Sequence, residues 1–306
     1  MKVTVYQTSP QLLDVKSNLE DVISKIHNAR EKGSHLVVFP ELALTGYFVS
    51  HRYHEVALRL DSDEIRALAA ATKGTAAVVG FIEESRSMNF YNSALVLVDG
   101  NIVFAYRKIN LPNYGVFEEA KIYSTGKQIR TFVLHGYHIA VFICNDMWHP
   151  SLPYLGIAQK ADIFVTLFNS SQGSMGSEFS NIETWGIINT FYSRIFGIDS
   201  ISANRVGEVF LPGQYNKVQA SCQPDKAGDY TIASMPSSLL FWGGSEIVNP
   251  FGETISKAAL HKTDEIEAVI SSGLLRKKKI LLPYVKNDDP NFTCRELKRI
   301  LFKPDQ

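Results

Sequence analysis

Short apolar runs alternate with stretches of helical periodicity in the first third of the chain. Lys2–Gln7 alternates apolar and polar residues and predicts a strand, and His35–Phe39 predicts a short, fully buried strand. Between them, Lys16–Lys32 has its apolar residues three and four positions apart, which is the spacing of one helix face. Asp61–Thr72 predicts a second helix by the same criterion. The chain therefore begins as β-α-β-α.

Further along the chain the pattern changes to strands and hairpins. Thr75–Ile82 and Ser93–Val98 predict strands, and Asp99-Gly100 predicts a tight turn into the strand Ile102–Tyr106. Further strands are predicted at His138–Ile143, Ile163–Leu167, Ile198–Ala203, Ser245–Val248 and Glu265–Ile270, and a helix at Ile182–Phe196. This order favours an α/β (α+β) protein with mixed sheets and external helices. We expect one domain over residues 1–306, with a less regular excursion at Pro212–Gly244.

Composition narrows the class of protein. The 306 residues are 45% hydrophobic and 20% charged, and 31 basic residues balance 31 acidic ones. A zero net charge argues against a nucleic-acid partner or a basic membrane patch. With neither a signal peptide nor an apolar run of membrane-spanning length, we expect a cytoplasmic protein without a membrane partner. The basic run Arg276-Lys277-Lys278-Lys279 leaves two interpretations open: a solvated or interface-facing cluster, or an anion-binding site.

The chain has three cysteines, Cys144, Cys222 and Cys294, which form neither a zinc-binding pattern nor a disulfide framework. We therefore expect no metal. Cys144 ends the apolar run His138–Ile143, where a buried strand meets a turn. Such a junction exposes a side chain beside free backbone N–H groups, which suits a nucleophile. A small, buried hydrophobic role is the alternative for this residue.

Two charged residues also lie at strand ends. Glu41 follows the buried strand His35–Phe39, where a desolvated carboxylate can exchange protons near neutral pH; the alternative is a helix cap or an exposed charge. Lys108 follows Arg107 at the end of a half-buried strand, so that one of the two cations faces inward. A buried ammonium group requires a carboxylate partner. An exposed edge-strand lysine is the alternative.

Taken together, three stretches resemble a known family. They are PELALTGY (Pro40–Tyr47), YRKINLPNYGVFEE (Tyr106–Glu119) and CNDMWHP (Cys144–Pro150). In this order they are similar to the nitrilase (carbon–nitrogen hydrolase) superfamily, and the similarity runs from about Lys2 to Ile270. Supporting stretches are VVGFIEE (Val78–Glu84), YNSALVLVDG (Tyr91–Gly100), ADIFVTLFNSS (Ala161–Ser171), ANRVG (Ala203–Gly207) and GGSEIVNPFGE (Gly243–Glu253). The resemblance implies a four-layer αββα sandwich of two facing mixed sheets.

The resemblance also implies the catalytic residues. The family's Glu, Lys and Cys carry over to Glu41, Lys108 and Cys144, and a second glutamate in the loop after the lysine carries over to Glu119. Glu118 stays open as the alternative to Glu119.

The implied chemistry is thioester formation. Lys108 is expected to lower the pKa of the Cys144 thiol while Glu41 takes its proton. Lys108 and the backbone N–H of Asn145 would hold the oxyanion, and Glu119 would orient Lys108. Side chains supply all the charges, so we expect no cofactor.

The loop LPNYGVFEE is also similar to that of the glutaminase domains of glutamine-dependent NAD synthetases. The chain departs from those domains at Asn145, where they usually have Glu, and at Asn169-Ser170-Ser171-Gln172, which replaces their Ser-Pro pair. Because the chain ends at Gln306 without a synthetase domain, we expect a stand-alone amidase acting on a small carboxamide. A nitrilase that acts on C≡N through a thioimidate is one alternative. A non-catalytic binding protein with this fold is another.

The resemblance suggests where substrate and partners bind. The candidate substrate-binding residues are Tyr114, Asn145, Trp148, Asn169 and Ser170. An insertion at about 208–241, which contains Tyr215, Cys222, Tyr230 and Met235, is either a surface loop or a lid over the acyl pocket. A homodimer or higher homo-oligomer is expected from the family.

Overall fold

The computed structural model describes residues 1–172, 181–210, 221–224, 230–233 and 238–302. The strands, in chain order, are β1 (Lys2–Gln7), β2 (Leu36–Val38), β3 (Ala76–Glu84), β4 (Phe90–Val98), β5 (Asn101–Arg107), β6 (Thr131–Leu134), β7 (Tyr137–Ile143), β8 (Ile163–Phe168), β9 (Ser171–Gln172), β10 (Asp199–Asn204), β11 (Val206–Phe210), β12 (Ser221–Pro224), β13 (Tyr230–Ala233), β14 (Ser238–Trp242), β15 (Glu246–Val248), β16 (Thr254–Lys257) and β17 (Asp264–Val269). The helices are α1 (Val15–Glu31), α2 (Tyr53–Val56), α3 (Asp63–Ala71), α4 (Glu119–Ile122), α5 (Ser151–Ala158), α6 (Asn181–Phe196), α7 (Ser272–Leu281), α8 (Tyr284–Asn287) and α9 (Pro290–Leu301), with 3₁₀ turns at Ser50–Arg52 and Cys144–Trp148.

Two six-stranded mixed sheets form the centre of the molecule. Their strand orders are β17-β1-β2-β3-β4-β5 and β16-β15-β10-β8-β7-β6. In the first sheet β1, β2 and β3 are parallel, and in the second β7, β8 and β10 are parallel. The remaining pairs within each sheet are antiparallel. The prediction of mixed sheets is confirmed.

The sheets pack face to face, and helices cover their outer faces. Val5 and Val78 of the first sheet belong to the same buried core as Val141 and Val165 of the second. On the outer face of the first sheet, buried side chains of α1 and α3 pack against the strands. On the outer face of the second, α5 and α6 do the same. This arrangement is the expected four-layer αββα sandwich.

Several elements differ from the predicted ones. The helices α5, α7 and α9 were not predicted, and β4 begins at Phe90 instead of Ser93 because the antiparallel ladder continues to the pair Glu84 and Phe90. The prediction that Pro212–Gly244 is irregular is wrong where β12, β13 and β14 lie. There the turn-forming residues separate strands, and β14 pairs with both β11 and β9.

Not all residues of this insertion are described. Tyr215 and Met235 lie outside the described residues, and for Cys222 and Tyr230 only the place in β12 and β13 is described. In the part of the chain that the structure covers, none of the helices combines the length and apolar character that crossing a bilayer requires.

A glycine in β3 permits a close approach of the turn that follows β2. A Cβ atom built on Gly80 would clash with the backbone N of Leu42 and lie 2.5 Å from the carbonyl oxygen of Pro40. Leu44 donates its backbone N–H to the carbonyl oxygen of Gly80 (3.2 Å), and Leu42 itself has a φ of 50°. The turn at positions 40–44 therefore rests directly on the backbone of β3.

We expect Gly80→Ala to lower the free energy of unfolding by about 1–3 kcal/mol, because backbone atoms must move to admit the methyl group. Gly186→Ala is the matched control, since a Cβ there meets nothing within 4 Å and lies in α6. The control should raise stability by about 0.5–1 kcal/mol. Urea unfolding measures both; similar values for the two variants would contradict the close approach.

Candidate active site

The side chains predicted to act together come from four separate segments. Glu41 follows β2, Lys108 follows β5, and Cys144 follows β7. Glu119 begins α4, at the end of the loop after Lys108, and its backbone N–H binds the carbonyl oxygen of Pro112 at 3.1 Å. The structure brings these segments together at one end of the sandwich, where the strands that precede them end.

A buried ion cluster lies at this end of the sandwich. The Nζ atom of Lys108 is 2.8 Å from Oε1 of Glu41 and 2.7 Å from Oε1 of Glu119. The relative exposures of Lys108, Glu41 and Glu119 are 0%, 1% and 3%. Glu118, the alternative to Glu119, instead pairs with Lys121 at the surface, at 2.5 Å. The cluster therefore contains one cation and two carboxyl groups, all shielded from water.

Two neutral side chains complete the cluster. Asn92 donates from Nδ2 to Oε1 of Glu41 at 2.7 Å and to Oε2 of Glu119 at 3.4 Å. Tyr47 donates its hydroxyl to Oε1 of Glu119. Among the described residues, Oε2 of Glu41 has no hydrogen-bond partner. That oxygen is therefore a buried acceptor whose lone pairs are unused among the described residues.

The electrostatics of the cluster follow from its burial and its charges. Burial alone would lower the pKa of Lys108, but the carboxylates of Glu119 and Glu41 raise it well above its usual value. Burial raises the pKa of Glu119, and the charge of Glu41 adds to this while Lys108 opposes it. Lys108 therefore stays charged, and the second carboxyl group is pushed towards its protonated form.

Cys144 lies at a strained turn beside this cluster. Its φ is 45°, a left-handed conformation that is uncommon for a residue other than glycine, and its side chain keeps partial exposure. Burial and the charge of Glu41 raise the pKa of the thiol well above its usual value, although Lys108 and the backbone N–H of Asn169 lower it. Lys108 thus lowers the pKa of the thiol, as expected, but burial and the charge of Glu41 outweigh its effect.

The raised pKa of the Cys144 thiol predicts how its alkylation depends on pH. Since the raised pKa leaves little thiolate at neutral pH, we expect iodoacetamide to modify Cys144 slowly at pH 7.5. Its rate should keep rising beyond pH about 9, where an ordinary thiol has largely ionised. The exposed Cys294 in α9 is the internal reference and should react faster at pH 7.5. Peptide mapping by mass spectrometry measures both rates; a plateau for Cys144 below pH 7 would show a resting thiolate.

Asp146 links two of these segments, and no role was predicted for it. Its Oδ1 accepts the backbone N–H groups of Ile109 (3.2 Å) and Asn110 (2.8 Å). Its Oδ2 accepts the hydroxyl of Tyr106 (2.8 Å) and the backbone N–H of Ile143 (3.2 Å). One buried carboxylate thus ties the chain after β5 to the turn after β7. Its only signal in the sequence was its place in the motif that starts at Cys144.

Burial has the largest effect on the pKa of the Asp146 carboxyl group. It raises the pKa of Asp146 to about 6, against the opposing effects of the Asn110 N–H, the charge of Lys108 and the Tyr106 hydroxyl. The group is fully buried, so its four hydrogen bonds are its only substitute for water.

We expect Asp146→Asn to lower kcat by about 10- to 100-fold with a smaller change in KM, because an amide cannot accept all four bonds and the two segments shift. Glu83→Gln is the control, since it also alters a buried carboxylate, which binds Arg107 (2.5 Å) and Ser93 (2.7 Å). The control should lose stability but keep kcat within a few-fold. Steady-state kinetics with thermal unfolding separates the two; equal losses of kcat would contradict the positioning role.

The candidate substrate-binding residues occupy different kinds of position. Tyr114 is 46% exposed and donates its hydroxyl to Oδ1 of Asn145 at 3.0 Å. Trp148 is partly buried, with its ring edge-on to that of Trp185 at 5.9 Å. Tyr114 and Trp148 therefore remain accessible to solvent at the end of the sandwich where Cys144 lies.

Asn169 and Ser170 are buried. Asn169 donates from Nδ2 to the carbonyl oxygen of Glu41 at 2.9 Å, and the backbone N–H of Ser170 binds Oδ1 of Asn204 at 3.0 Å. Within the described ranges, no three His, Cys, Asp or Glu side chains are arranged as metal ligands.

Comparisons with known proteins agree on the family. A family model described as carbon-nitrogen hydrolase matches residues 2–279. A glutamine-dependent NAD(+) synthetase from Thermotoga maritima is 30% identical over 276 residues, which is 87% of this chain but 41% of that protein. The chain therefore spans less than half the length of this curated relative.

Solved structures share the fold at lower identity. A carbon-nitrogen hydrolase from Helicobacter pylori G27 superposes with a TM-score of 0.74 at 21% identity, covering 98% of both chains. A double mutant of the amidase from Nesterenkonia sp. AN1, in complex with acrylamide, superposes with a TM-score of 0.72 at 17% identity, covering 96% of both chains. At these identities the likeness shows the fold alone.

Proposed function

We propose that this chain, which belongs to the carbon–nitrogen hydrolase family, hydrolyses the C–N bond of a small carboxamide to an acid and ammonia or an amine. The observation that carries the proposal is the buried ammonium group of Lys108, bound by Glu41 and Glu119 beside the strained Cys144. A fold gains nothing in stability from such a cluster compared with apolar residues of the same volume. A catalytic role therefore explains the presence of this buried cluster better than a role in packing does.

The first step forms a thioester. As Sγ of Cys144 bonds to the carbonyl carbon, its proton passes to the free Oε2 of Glu41. This transfer during attack suits a thiol whose pKa is raised, because no thiolate need exist beforehand. Lys108 uses two of its three N–H bonds on the carboxylates and keeps one for the oxyanion, together with the backbone N–H of Asn145.

The second step releases the acid. When the tetrahedral intermediate collapses, the C–N bond breaks and the amine leaves with the proton held by Glu41. Water then attacks the thioester and gives a proton to Glu41. As the C–S bond breaks, Glu41 passes this proton to the sulfur, which restores the Cys144 thiol and the Glu41 carboxylate. Glu119 keeps Lys108 in place throughout and transfers no proton to the substrate.

The relatives suggest which amides to test first. Because the Thermotoga maritima relative is named for its dependence on glutamine, glutamine heads the panel, followed by short aliphatic amides. The accessible Tyr114 and Trp148 form the part of the site available to the acyl group. Pairing with a second copy stays a prediction; the outward row Ile187, Phe191 and Ile195 on α6 is an apolar surface suited to it.

We expect Cys144→Ala to abolish amide hydrolysis, a loss of at least about 10³-fold, because the thioester cannot form. Glu41→Gln should cause a comparable loss of kcat, since the amide cannot take the thiol proton. Cys294→Ala is the matched control, because this exposed cysteine lies in α9 away from the cluster. Release of ammonia from the amide panel measures activity, and circular dichroism confirms folding.

Two outcomes would contradict the proposal. Release of ammonia from nitriles but not from the matched amides would make the chain a nitrilase that uses the same residues. Absence of ammonia release from every amide and nitrile of the panel, in folded protein, would favour a non-catalytic binding protein.

A further inference from the structure

An open cleft lies at the end of the sandwich opposite Cys144. It has a volume of about 880 Å³, and its lining includes His35, His135, Asp162 and Arg276. The first three lie just before β2, β7 and β8, whereas the catalytic side chains follow strands of the same sheets. Since β7 has seven residues, the two ends lie roughly 20 Å apart. The cleft is therefore separate from the proposed catalytic site.

Two residues of the basic run in α7, Arg276 and Lys279, face the cleft. Ser272, Leu275, Arg276, Lys279 and Ile280 all line it, and their spacing of three and four residues defines one helix face. Leu275 on this face is buried in the core between the sheets, so the face is turned towards the body of the molecule. An ordinary amphipathic helix has apolar residues in such positions. Here two of the five are cations, which favours anion binding over a purely solvated cluster.

The charges around the cleft do not balance. Lys279 pairs with Asp162, which is the single acidic side chain in the described lining. Arg276 and Lys286 have no acidic partner among the described residues. Behind the lining, burial raises the pKa of Asp199 to about 7, so this carboxyl group carries only part of a negative charge at neutral pH. The cleft thus has an excess of at least one positive charge.

Two histidines line the cleft, and His35 offers it a hydrogen-bond donor. Nδ1 of His35 accepts the backbone N–H of Lys2 at 3.0 Å, which leaves the proton of the neutral ring on Nε2. Its ring lies edge-on to that of His135 at 4.4 Å. His135 and Gly136 have φ values of 48° and 80°, the geometry of a type I′ turn, where Asn, Asp or Gly is usual. A histidine there costs strain and presents an imidazole to the cleft.

We propose that this cleft binds a small phosphorylated molecule of about nucleotide size, with the phosphate on Arg276, Lys279 and Lys286. Guanidinium and ammonium groups together match the charge and geometry of phosphate oxygens. The volume exceeds the need of an inorganic ion, and Tyr137, Leu275 and Pro283 supply an apolar wall for an organic portion. The ligand would occupy a site remote from the amide chemistry.

Isothermal titration with ATP in EDTA tests the proposal on the full chain. We expect saturable binding that Arg276→Glu/Lys286→Glu weakens by about tenfold or more. Arg295→Glu/Lys298→Glu in α9 is the matched control, because it makes the same change of net charge with the same residue types outside the cleft. The control should bind as the unmodified protein does, and thermal unfolding verifies that each variant is folded.

Each other outcome overturns the proposal. Absence of saturable binding, or equal weakening in the control variant, would show that the basic run acts only through general charge. Tight binding of a dicarboxylate such as malonate with no response to ATP or pyrophosphate would exclude a phosphate site.

Discussion

A positive charge without access to water is the constraint on which the rest of this structure depends. Lys108 is fully buried, and an isolated ammonium group in that position would cost several kcal/mol. Glu41 and Glu119 offset that cost by direct contact. Without both carboxylates the ammonium charge would be uncompensated, a loss of about 3–5 kcal/mol in comparable buried pairs. The fold must therefore bring together segments that lie far apart along the chain.

The surrounding structure positions these segments by backbone contacts. Gly80 lets the turn that contains Glu41 rest on β3, and Asn169 binds the backbone of the same turn from the opposite sheet. Asp146 holds the chain after β5 against the turn after β7. These links come from both sheets, so that both sheets shape the ion cluster. The opposite end of the sandwich has a different character, with an open cationic cleft and no comparable cluster among the described residues.

Local sequence patterns predicted the regular parts of this fold well. Apolar spacing located α1, α3 and most strands to within a few residues, and Asp99-Gly100 forms the expected hairpin turn, with φ values of 47° and 81°. The C-terminal helices α7 and α9 were not predicted, and none of the described side chains of α9 is buried. In the insertion, the turn-forming residues predict irregular structure, but short strands lie among them.

By itself, the sequence determined the set of chemical groups and the strand ends that carry them. It also indicated that Lys108 needs a carboxylate, because that requirement follows from charge and burial alone. Tertiary structure decided the rest: that Glu119 and not Glu118 meets Lys108, that Asp146 joins two segments, and that burial and Glu41 outweigh Lys108 in their effect on the pKa of the Cys144 thiol. The physical reason is that a pKa or an ion pair depends on distances across the core, which no local pattern of residues contains.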